Sequence, residues 1–321
     1  MAKAVQITET GGPEVLRVTD VPDPEPGPGD LLVDVAAAGV NYVDTYHRDG
    51  TYPVELPLVL GVEGAGTVRT VGADVTAFAA GDRVAWAMAP GSYASVAAVP
   101  QTHAVKVPEG VGDDVAAAIA LQGMTAHMLT RSVYPVADGD TVLVHAAAGG
   151  VGLLLVQLAK ARGARVLATG STEEKRQLAR DAGADEVFGY EGFGDRVKEL
   201  TDGAGVHAVY DGVGATTFDD SLASLRVRGT MVLFGGASGP VPPVDPQRLN
   251  RGGSLYLTRP TLAHFMTTRE ELDWRSGELF EAVTSGSLNV RIGHTYRLDE
   301  AAQAHTDLQG RKTTGKLLLI P

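Results

Sequence analysis

Three small residues at fixed spacing follow a short apolar run near the middle of the chain. The run is Thr141–Val144, and Ala147, Gly149 and Gly152 then occupy the three positions of a G-x-G-x-x-G/A pattern, with Ala in place of the first glycine. Small side chains there allow a sharp turn and let backbone N–H groups approach a phosphate. The pattern indicates a binding site for a dinucleotide pyrophosphate, with a plain strand-to-helix turn as the alternative.

The elements around this turn make the pattern more specific. Residues 151–162 place Leu154, Leu155 and Leu158 on one apolar helical face, and Arg165–Thr169 forms a second apolar run. A strand, a turn, a helix and a second strand within about 30 residues are typical of a dinucleotide-binding unit. The positive N-terminal end of such a helix faces the pyrophosphate.

The end of the second strand bears on which dinucleotide is bound. An NAD site usually carries Asp or Glu there, whereas this strand is followed by residues 170–172 (Gly-Ser-Thr), and the first carboxylate is Glu173. The hydroxyl of Ser171 and the cation of Lys175 would accept a 2′-phosphate that an acidic residue would repel. The residues favour NADP(H). Ser171 and Thr172 also suit a helix N-cap, and Lys175 also suits a solvated helix position.

Composition excludes several classes of protein and site. The chain has 321 residues, a net charge of −12 and no cysteine. Its length suffices for two domains, and its acidity argues against a general nucleic-acid or anionic-membrane surface. The absence of cysteine excludes disulfides, thiolate nucleophiles and cysteine-containing zinc sites. No apolar run is long enough for a membrane span, and the first residues lack a signal-peptide core, so we expect a cytoplasmic protein.

The pattern of elements predicts an α/β protein with two domains. Up to about residue 120, short alternating runs punctuated by Gly and Pro predict a small antiparallel barrel. From residue 123, helices and strands alternate as in a Rossmann-type doubly wound parallel sheet. We predict domains at 1–122, 123–262 and 263–321, the last returning to the first domain, with the active site in the cleft between them. Separate helices are expected at 112–118 and 125–132.

Two further glycine-rich loops follow predicted strands, at residues 211–214 and 234–239. Ligands lie beyond the carboxyl ends of parallel strands. We therefore expect both loops to let the nicotinamide half of the cofactor lie against backbone, although the first loop suits a simple turn equally well.

Motifs spread through nearly the whole chain resemble one family. By these motifs, which occur in the order typical of the family, the chain resembles the zinc-free quinone oxidoreductases related to zeta-crystallin, within the medium-chain dehydrogenase/reductase superfamily. The matching segments are TGGPEVL (10–16), AAGVNYVDTYHRDGTYP (37–53), LGVEGAGTV (60–68), AGDRV (80–84), LQGMTAH (121–127), HAAAGGVG (145–152), VYDGVG (209–214), GSLYLTRPTL (253–262) and GKLLLIP (315–321). The resemblance implies a GroES-like β-barrel catalytic domain and a Rossmann cofactor domain.

The resemblance also implies a site without metal. Zinc-dependent alcohol dehydrogenases of the same superfamily place a cysteine where this chain has Asn41. They carry a histidine in a G-H-E motif where this chain has Val62, between Gly61 and Glu63. Neither zinc site of those relatives can be built here, and Glu63 is expected to be a structural carboxylate.

By resemblance, the chain binds NADPH, with Asn41 and the segment 42–46 at the nicotinamide end. Ser171, Lys175 and Tyr190 resemble the family's 2′-phosphate pocket. The residues that the resemblance assigns to the cofactor are Asn41, Tyr42, Thr125, Gly149, Gly150, Val151, Gly152, Leu153, Ser171, Lys175, Tyr190, Gly236, Ala237, Ser238 and Arg311.

A zinc-free site suits the reduction of a quinone or enone better than the oxidation of an alcohol, which zinc or a strong base normally assists. We expect Asn41 to orient the cofactor or a substrate carbonyl, and Tyr46 to donate a hydrogen bond to the developing oxyanion. Tyr52 would line the ring pocket and Arg259 would contribute charge. Tyr46 as a packed tyrosine and Arg259 in a surface ion pair are the alternatives.

The expected function is therefore an NADPH-dependent quinone oxidoreductase that acts on a small molecule. The alternatives are an NADPH-dependent reductase of enones or enoyl thioesters and a non-catalytic, crystallin-like NADPH-binding protein. The resemblance implies a homodimer or a tetramer, and the apolar run at 254–257 could supply an edge-to-edge contact.

Overall fold

The computed structural model describes all residues, 1–321, and they form two compact units. The first unit comprises residues 1–124 and 266–321, and the second comprises residues 125–265. The sequence analysis drew the corresponding boundaries after residues 122 and 262. In chain order, one unit is thus inserted into the other.

The strands, in chain order, are β1 (Ala2–Ile7), β2 (Arg17–Val21), β3 (Asp30–Val40), β4 (Leu58–Val59), β5 (Glu63–Val71), β6 (Arg83–Ala87), β7 (Val96–Pro100), β8 (Ala104–Lys106), β9 (Thr141–Val144), β10 (Arg165–Thr169), β11 (Glu186–Phe188), β12 (Val206–Asp211), β13 (Leu225–Leu233), β14 (Tyr256–Thr258), β15 (Ile292–Arg297) and β16 (Lys316–Ile320). The α-helices are α1 (Tyr42–Asp49), α2 (Asp113–Met128), α3 (Gly150–Ala161), α4 (Glu173–Asp181), α5 (Phe193–Leu200), α6 (Phe218–Ala223), α7 (Gln247–Arg251), α8 (Arg269–Thr284) and α9 (Ala301–Gln309).

The first unit is built around the long strand β3. Seven strands form its main sheet, in the order β15-β16-β3-β5-β6-β8 with β7 also paired to β3, and β2-β1-β4 form a smaller sheet. All pairings of β3 are antiparallel. Its apolar side chains Leu31, Val33 and Val35 are buried in a core that includes Trp86 and Leu317. The strands from both ends of the chain therefore share one core.

The second unit is a six-stranded sheet in the order β11-β10-β9-β12-β13-β14, with every pair parallel. The order reverses between β9 and β12, which is the topological switch point of a Rossmann sheet. The predicted α/β class, with its doubly wound parallel sheet, is confirmed. The glycine-rich turn follows β9 directly, at the edge where such sheets bind their ligands.

One helix prediction is wrong. Instead of separate helices at 112–118 and 125–132, α2 runs without a break from Asp113 to Met128. Gly123 does not interrupt it, because the helix packs closely there: a Cβ on Gly123 would lie 2.4 Å from Ile119 Cγ1 and 3.3 Å from Leu279 Cδ1. The boundary between the two units falls within this helix. No helix of the protein combines the length and the apolar character needed to cross a bilayer.

Candidate functional site

The glycine turn, residues 145–152, forms the N-terminus of α3 in the second unit. Gly149 caps the helix with extended backbone, and the first helical hydrogen bond runs from Leu153 N to Gly149 O at 2.9 Å. The N–H groups of Gly150, Val151 and Gly152 precede that bond, so no carbonyl within the helix is available to them. A helix N-terminus of this kind binds anionic groups.

Gly152 is required by close packing. A Cβ at this position would lie 2.4 Å from the carbonyl oxygen of Ala146 and 2.8 Å from Cα of Ala147, and both neighbours are backbone atoms that cannot move aside cheaply. A Cβ on Gly149 would meet only Ala146 O, at 3.2 Å. The two glycines therefore serve different purposes: Gly152 admits the turn against the helix, and Gly149 keeps the approach to the helix N-terminus open. This backbone fits a dinucleotide pyrophosphate.

Tyr190, two residues after β11, supports the same turn. Its hydroxyl accepts a hydrogen bond from the N–H of Ala146 at 3.1 Å, and its ring stacks on His145 with 6.0 Å between centroids. Ala146 has a positive φ of 49°, which is unfavourable for a residue with a Cβ. The tyrosine hydroxyl thus helps to hold a strained part of the turn.

A buried polar network lies under the turn and joins the ends of three neighbouring strands. His145, after β9, hydrogen-bonds Thr169 of β10 through Nδ1 and Ser221 of α6 through Nε2, both at 2.9 Å. Ser221 and Thr217 donate in turn to Asp211, the last residue of β12. Burial lowers the pKa of His145 to about 4, so this imidazole is neutral at physiological pH.

The end of β10 carries the residues predicted for a 2′-phosphate. Ser171 is exposed and Lys175 is half-buried in the first turn of α4. Thr172 caps that helix, since its hydroxyl accepts a hydrogen bond from Lys175 N at 3.2 Å. The capping alternative considered for Thr172 is therefore present in the structure.

The first carboxylate after β10 is held in ion pairs. Glu173 pairs with Arg180 at 2.6 Å and with Arg176 at 2.8 Å, and hydrogen bonds from these two side chains lower its pKa. The charge of Glu173 is therefore compensated locally by two arginines.

The two later glycine-rich loops pack on each other. A Cβ on Gly214, which has a φ of 92°, would lie 2.8 Å from Gly239 O and 3.1 Å from Gly236 Cα. Ser238 Oγ donates to Val213 O at 2.8 Å and accepts from Thr216 N at 3.1 Å. Gly214 is thus needed for contact between the two loops, a reason that could not be predicted from the sequence. Ala237 lies in the same loop.

In the first unit, an ion pair is buried at the centre of the main sheet. Lys316 of β16 and Glu63 of β5 are joined by a short contact, and their side chains are 1% and 0% exposed. The carboxylate also accepts from the backbone N–H of Leu121. Glu63 is therefore fully engaged inside the protein, in line with the structural role expected for it.

Asn41 is tied into this ion pair through its amide. Its Oδ1 accepts from Lys316 Nζ at 2.8 Å and from Gln122 Nε2 at 3.1 Å. Its Nδ2 donates to Glu63 Oε2 at 2.8 Å and to Gly39 O at 3.3 Å. These four bonds use the amide's hydrogen-bonding capacity, so orienting a ligand carbonyl would require Asn41 to exchange one of them.

A second series of hydrogen bonds, which runs from Arg48 to Asp44, supports α1. Arg48 donates to His305 Nδ1 at 3.2 Å, so His305 Nε2 carries the proton and donates to the Tyr93 hydroxyl at 3.1 Å, which donates to Asp44 Oδ2 at 3.0 Å. Asp44 also accepts from the N–H of Asn41 at 2.8 Å. Burial lowers the pKa of His305 to about 3 and raises the pKa of Asp44 to about 7.

Tyrosines cluster on and after α1. The ring of Tyr46 lies 6.4 Å from that of Tyr42 and 5.3 Å from that of Tyr52, the latter pair edge to face. Tyr42 donates to Leu308 O at 3.0 Å, and its pKa is raised by burial, against the effect of nearby Arg311. The side chain of Tyr52 is exposed. The structure thus brings Tyr42, Tyr46 and Tyr52 together as one aromatic surface, which we call the tyrosine cluster.

The remaining predicted residues lie in the second unit. Thr125 is half-buried in α2, and Arg259 is exposed directly after β14. The polar residues that hold Asn41 and α1 were not predicted from the sequence: they are Asp44, Arg48, Tyr93, Gln122, His305 and Lys316. One signal was available, because Lys316 begins an otherwise apolar strand, where an unpaired cation would be costly. No group of three or more His, Asp or Glu side chains is arranged to hold a metal ion.

Comparison with known proteins identifies the family. A family model described as "Zinc-binding dehydrogenase" matches residues 150–279, and one described as "Alcohol dehydrogenase GroES-like domain" matches residues 27–109. The chain is 46% identical to a quinone oxidoreductase of Pseudomonas aeruginosa and 41% identical to a 2-haloacrylate reductase of Burkholderia sp., covering 100% of this chain in both cases and 100% and 99% of the relatives.

A solved structure gives the same result at the level of the fold. The structure of a mycobacterial protein complexed with NADPH superposes with a TM-score of 0.98, at 57% identity over 99% of this chain and 100% of that one. Matches of this extent establish membership as well as fold. The chain belongs to the quinone oxidoreductase family of the medium-chain dehydrogenase/reductase superfamily, with a GroES-like and a Rossmann domain, and it is an enzyme of the oxidoreductase class.

Proposed function

We propose that this enzyme is an NADPH-dependent quinone reductase that transfers a hydride without a metal ion. The observation that carries the proposal is the glycine turn, whose backbone at Gly149 and Gly152 leaves the N-terminus of α3 open to a pyrophosphate. The mycobacterial relative that superposes so closely was solved with NADPH.

The phosphorylated cofactor is favoured over NADH by charge at the end of β10. Lys175 contributes a cation in the first turn of α4, and Glu173 is neutralised by two arginines. We propose that Ser171, Lys175 and Tyr190 hold the 2′-phosphate, and that Gly150, Val151 and Gly152 bind the pyrophosphate through backbone N–H groups.

We assign the acceptor to the first unit, at the tyrosine cluster. Flat aromatic rings such as those of Tyr46 and Tyr52 pack well against a quinone, and the hydroxyl of Tyr46 would donate a hydrogen bond to the developing oxyanion. NADPH, when bound, supplies the hydride. The balanced reaction takes one quinone, one NADPH and one proton to a hydroquinone and NADP⁺.

The residues present support metal-free chemistry. The chain has no cysteine, and by the resemblance Val62 stands where the zinc-dependent relatives carry a metal-binding histidine. The ammonium of Lys316 already contacts both Asn41 and Glu63 and so occupies the space between these two side chains. A quinone needs no Lewis acid, because its reduced form is a stabilised aromatic oxyanion.

A second candidate is the reduction of a carbon–carbon double bond conjugated to a carboxyl or carbonyl group. The 2-haloacrylate reductase of Burkholderia sp. at 41% identity favours it. The same hydride donor would serve, and a hydrogen-bond donor such as Tyr46 would stabilise the resulting enolate.

The deciding experiment measures oxidation of NADPH by the purified enzyme with benzoquinone, phenanthrenequinone, a haloacrylate, an enone and crotonyl-CoA in parallel, together with NADPH binding by calorimetry. We expect the quinones to be reduced fastest, with rates unchanged by a chelator. Preferential reduction of the haloacrylate or the enone would establish the second candidate. Tight NADPH binding without any turnover would contradict both and favour a structural role.

We also propose that the protein forms a homodimer through β14. This strand forms the edge of the six-stranded sheet. Tyr256 on it and Val227 on the neighbouring β13 are 61% and 65% exposed. An unpaired, apolar edge suits pairing with a second copy. Light scattering after gel filtration tests this, with Leu257→Pro expected to give monomers.

A further inference from the structure

The ion pair of Lys316 and Glu63 lies over the C-terminal end of β3. The two residues belong to β16 and β5, the strands on either side of β3, and Gly39 of β3 lies between them. A Cβ on Gly39 would lie 2.2 Å from Glu63 Oε2 and 2.7 Å from Lys316 Cε. Glycine at this position therefore keeps open the space that the ion pair occupies.

A buried ion pair is a costly way to fill a core. Removing two charges from water costs several kcal/mol per ion, and apolar residues of similar volume are often equally stabilising or more so. Burial accordingly lowers the pKa of Lys316, against the attraction of Glu63. Stability alone does not explain why a lysine stands here, but its ammonium makes a second contact besides the one with Glu63.

The further contact is Oδ1 of Asn41, at 2.8 Å. An amide can turn over about its terminal bond, exchanging oxygen and nitrogen, with little change in shape. A cation on one side and the Glu63 carboxylate on the other permit only one orientation: oxygen towards Lys316 and nitrogen towards Glu63. The ion pair therefore fixes the direction of the Asn41 amide.

That direction is passed on to Gln122. Because Asn41 presents its oxygen, Gln122 must offer its NH₂ group, which donates at 3.1 Å. Its own oxygen, Oε1, is then left buried with no hydrogen-bond partner. A buried acceptor without a partner is unfavourable and rare, as expected of a group whose partner arrives with a ligand.

We propose that Lys316 is a positioning residue for the acceptor site: through Asn41 it holds the amide of Gln122 and the start of α1, which carries Tyr46, in one arrangement. The inference rests on the proposed function, because it concerns the acceptor of that reaction. Asn41 directly precedes α1, so a displaced amide would also displace the first turn of the helix that bears the tyrosine cluster.

The test compares variants that remove the cation in different ways. Lys316→Met together with Glu63→Gln removes both charges and avoids an unpaired buried carboxylate, and Gly39→Ala displaces the pair without changing any charge. Lys160→Met is the matched control, since it breaks an ion pair with Asp185 in the second unit. We expect the quinone KM to rise about tenfold or more in the first two proteins, as for a displaced binding group, and to stay unchanged in Lys160→Met.

Chemical rescue separates positioning from mere stabilisation. In Lys316→Ala, methylammonium should lower the quinone KM saturably, whereas tetramethylammonium, which cannot donate a hydrogen bond, should not. An unchanged KM and kcat in the double variant would overturn the inference. Wild-type enzyme that binds no NADPH or reduces no quinone would instead overturn the proposed function.

A measurement on the unaltered protein covers the case in which the variants do not fold. Both Asn41 side-chain N–H groups are donated internally, to Glu63 and Gly39, so their hydrogen exchange, followed by NMR, should be slowed well below that of an exposed asparagine. Free exchange of these protons would contradict the fixed amide and with it the role of Lys316.

Discussion

Under the proposed function, charge at single residues decides which nucleotide the second unit prefers. Lys175 lies at the start of α4 beside Glu173, whose own charge is compensated by Arg176 and Arg180. Lys175→Glu should therefore weaken NADPH far more than NADH, by about tenfold or more, because one charge-assisted contact to phosphate is lost and a repulsion is added. Calorimetry with both nucleotides measures the difference.

The control for this change is Lys198→Glu, which makes the same substitution at an exposed position on α5 of the same unit. It should leave both affinities as they are. An equal loss of NADPH and NADH in Lys175→Glu would remove this lysine from the phosphate pocket.

Asp44 makes stability depend on pH in an unusual direction. Burial raises its pKa from 3.8 to about 7 in the folded protein, so the folded state binds a proton that the unfolded state has released. The free energy of unfolding should fall by about 1.4 kcal/mol per pH unit from this group alone as the pH rises from 4 to 7. Asp44→Asn keeps an acceptor for Tyr93 and Asn41 and should remove this slope.

Denaturant unfolding of both proteins at several pH values tests the expectation, with Asp20→Asn as an exposed control. The difference in stability between Asp44→Asn and wild type should grow from pH 4 to pH 7 in favour of the variant. A difference that is constant over this range would show that Asp44 titrates normally.

Some residues could be proposed for the site from the sequence and others could not, for a physical reason. Gly152 and Lys175 belong to a local pattern, because their roles follow from neighbours within one strand–turn–helix unit. Lys316 and Glu63 are 253 positions apart, and nothing in either segment shows that β16 and β5 flank the same strand. His305 was missed for the same reason, since its partners Arg48 and Tyr93 lie far from it in sequence.

At the level of elements, helix α8 contains a glycine, Gly277, whose surroundings leave room for a side chain. A Cβ on Gly277 would find nothing within 4 Å, and the residue lies inside a helix of 16 residues. Gly277→Ala should stabilise the protein by about 0.5–1 kcal/mol, because alanine loses less backbone entropy on folding and meets no obstacle here. Denaturant unfolding measures the gain.

Gly123→Ala is the matched change in α2, where a Cβ would press on Ile119 and Leu279. It should be neutral or destabilising. If both substitutions stabilised the protein equally, helix propensity alone would account for them, and the close packing at Gly123 would be unimportant.

The prediction of two separate helices failed at this same glycine, Gly123. Two helices were predicted on either side of residue 123, but the lack of a side chain at Gly123 serves packing, and the alanine-rich segment around it continues as one helix. The parallel strands β9 and β10 were predicted well because each is a short apolar run bounded by turn residues. The two-residue strand β4 carries no periodicity from which it could have been predicted.

For the molecule as a whole, each unit contains a buried neutral histidine. Burial lowers the pKa of His305 in the first unit to about 3 and that of His145 in the second to about 4. Below pH 6.5, the ordinary pKa of a histidine, these two side chains take up protons in the unfolded chain but not in the folded protein. Their contribution to stability is complete above pH 6.5 and is lost as the pH falls towards 4.

Separate signals are available for the two units. Both tryptophans, Trp86 and Trp274, lie in the first unit, so fluorescence reports its unfolding, while NADPH binding, under the proposed function, also requires the glycine turn of the second unit. His145→Gln should make the loss of NADPH binding between pH 6.5 and 4 shallower, and His264→Gln, at an exposed position, should not. An identical pH dependence in all three proteins would rule out His145 as its source.

The discontinuous first unit has a consequence for biosynthesis. A ribosome releases residues 125–265 before residues 266–321, so the parallel sheet has its whole sequence available while the first unit still lacks β16. Until that strand arrives, the flank of β3 is open and Glu63 has no counter-ion. The inserted unit can therefore mature on the nascent chain, whereas its host must wait for the last strand to be translated.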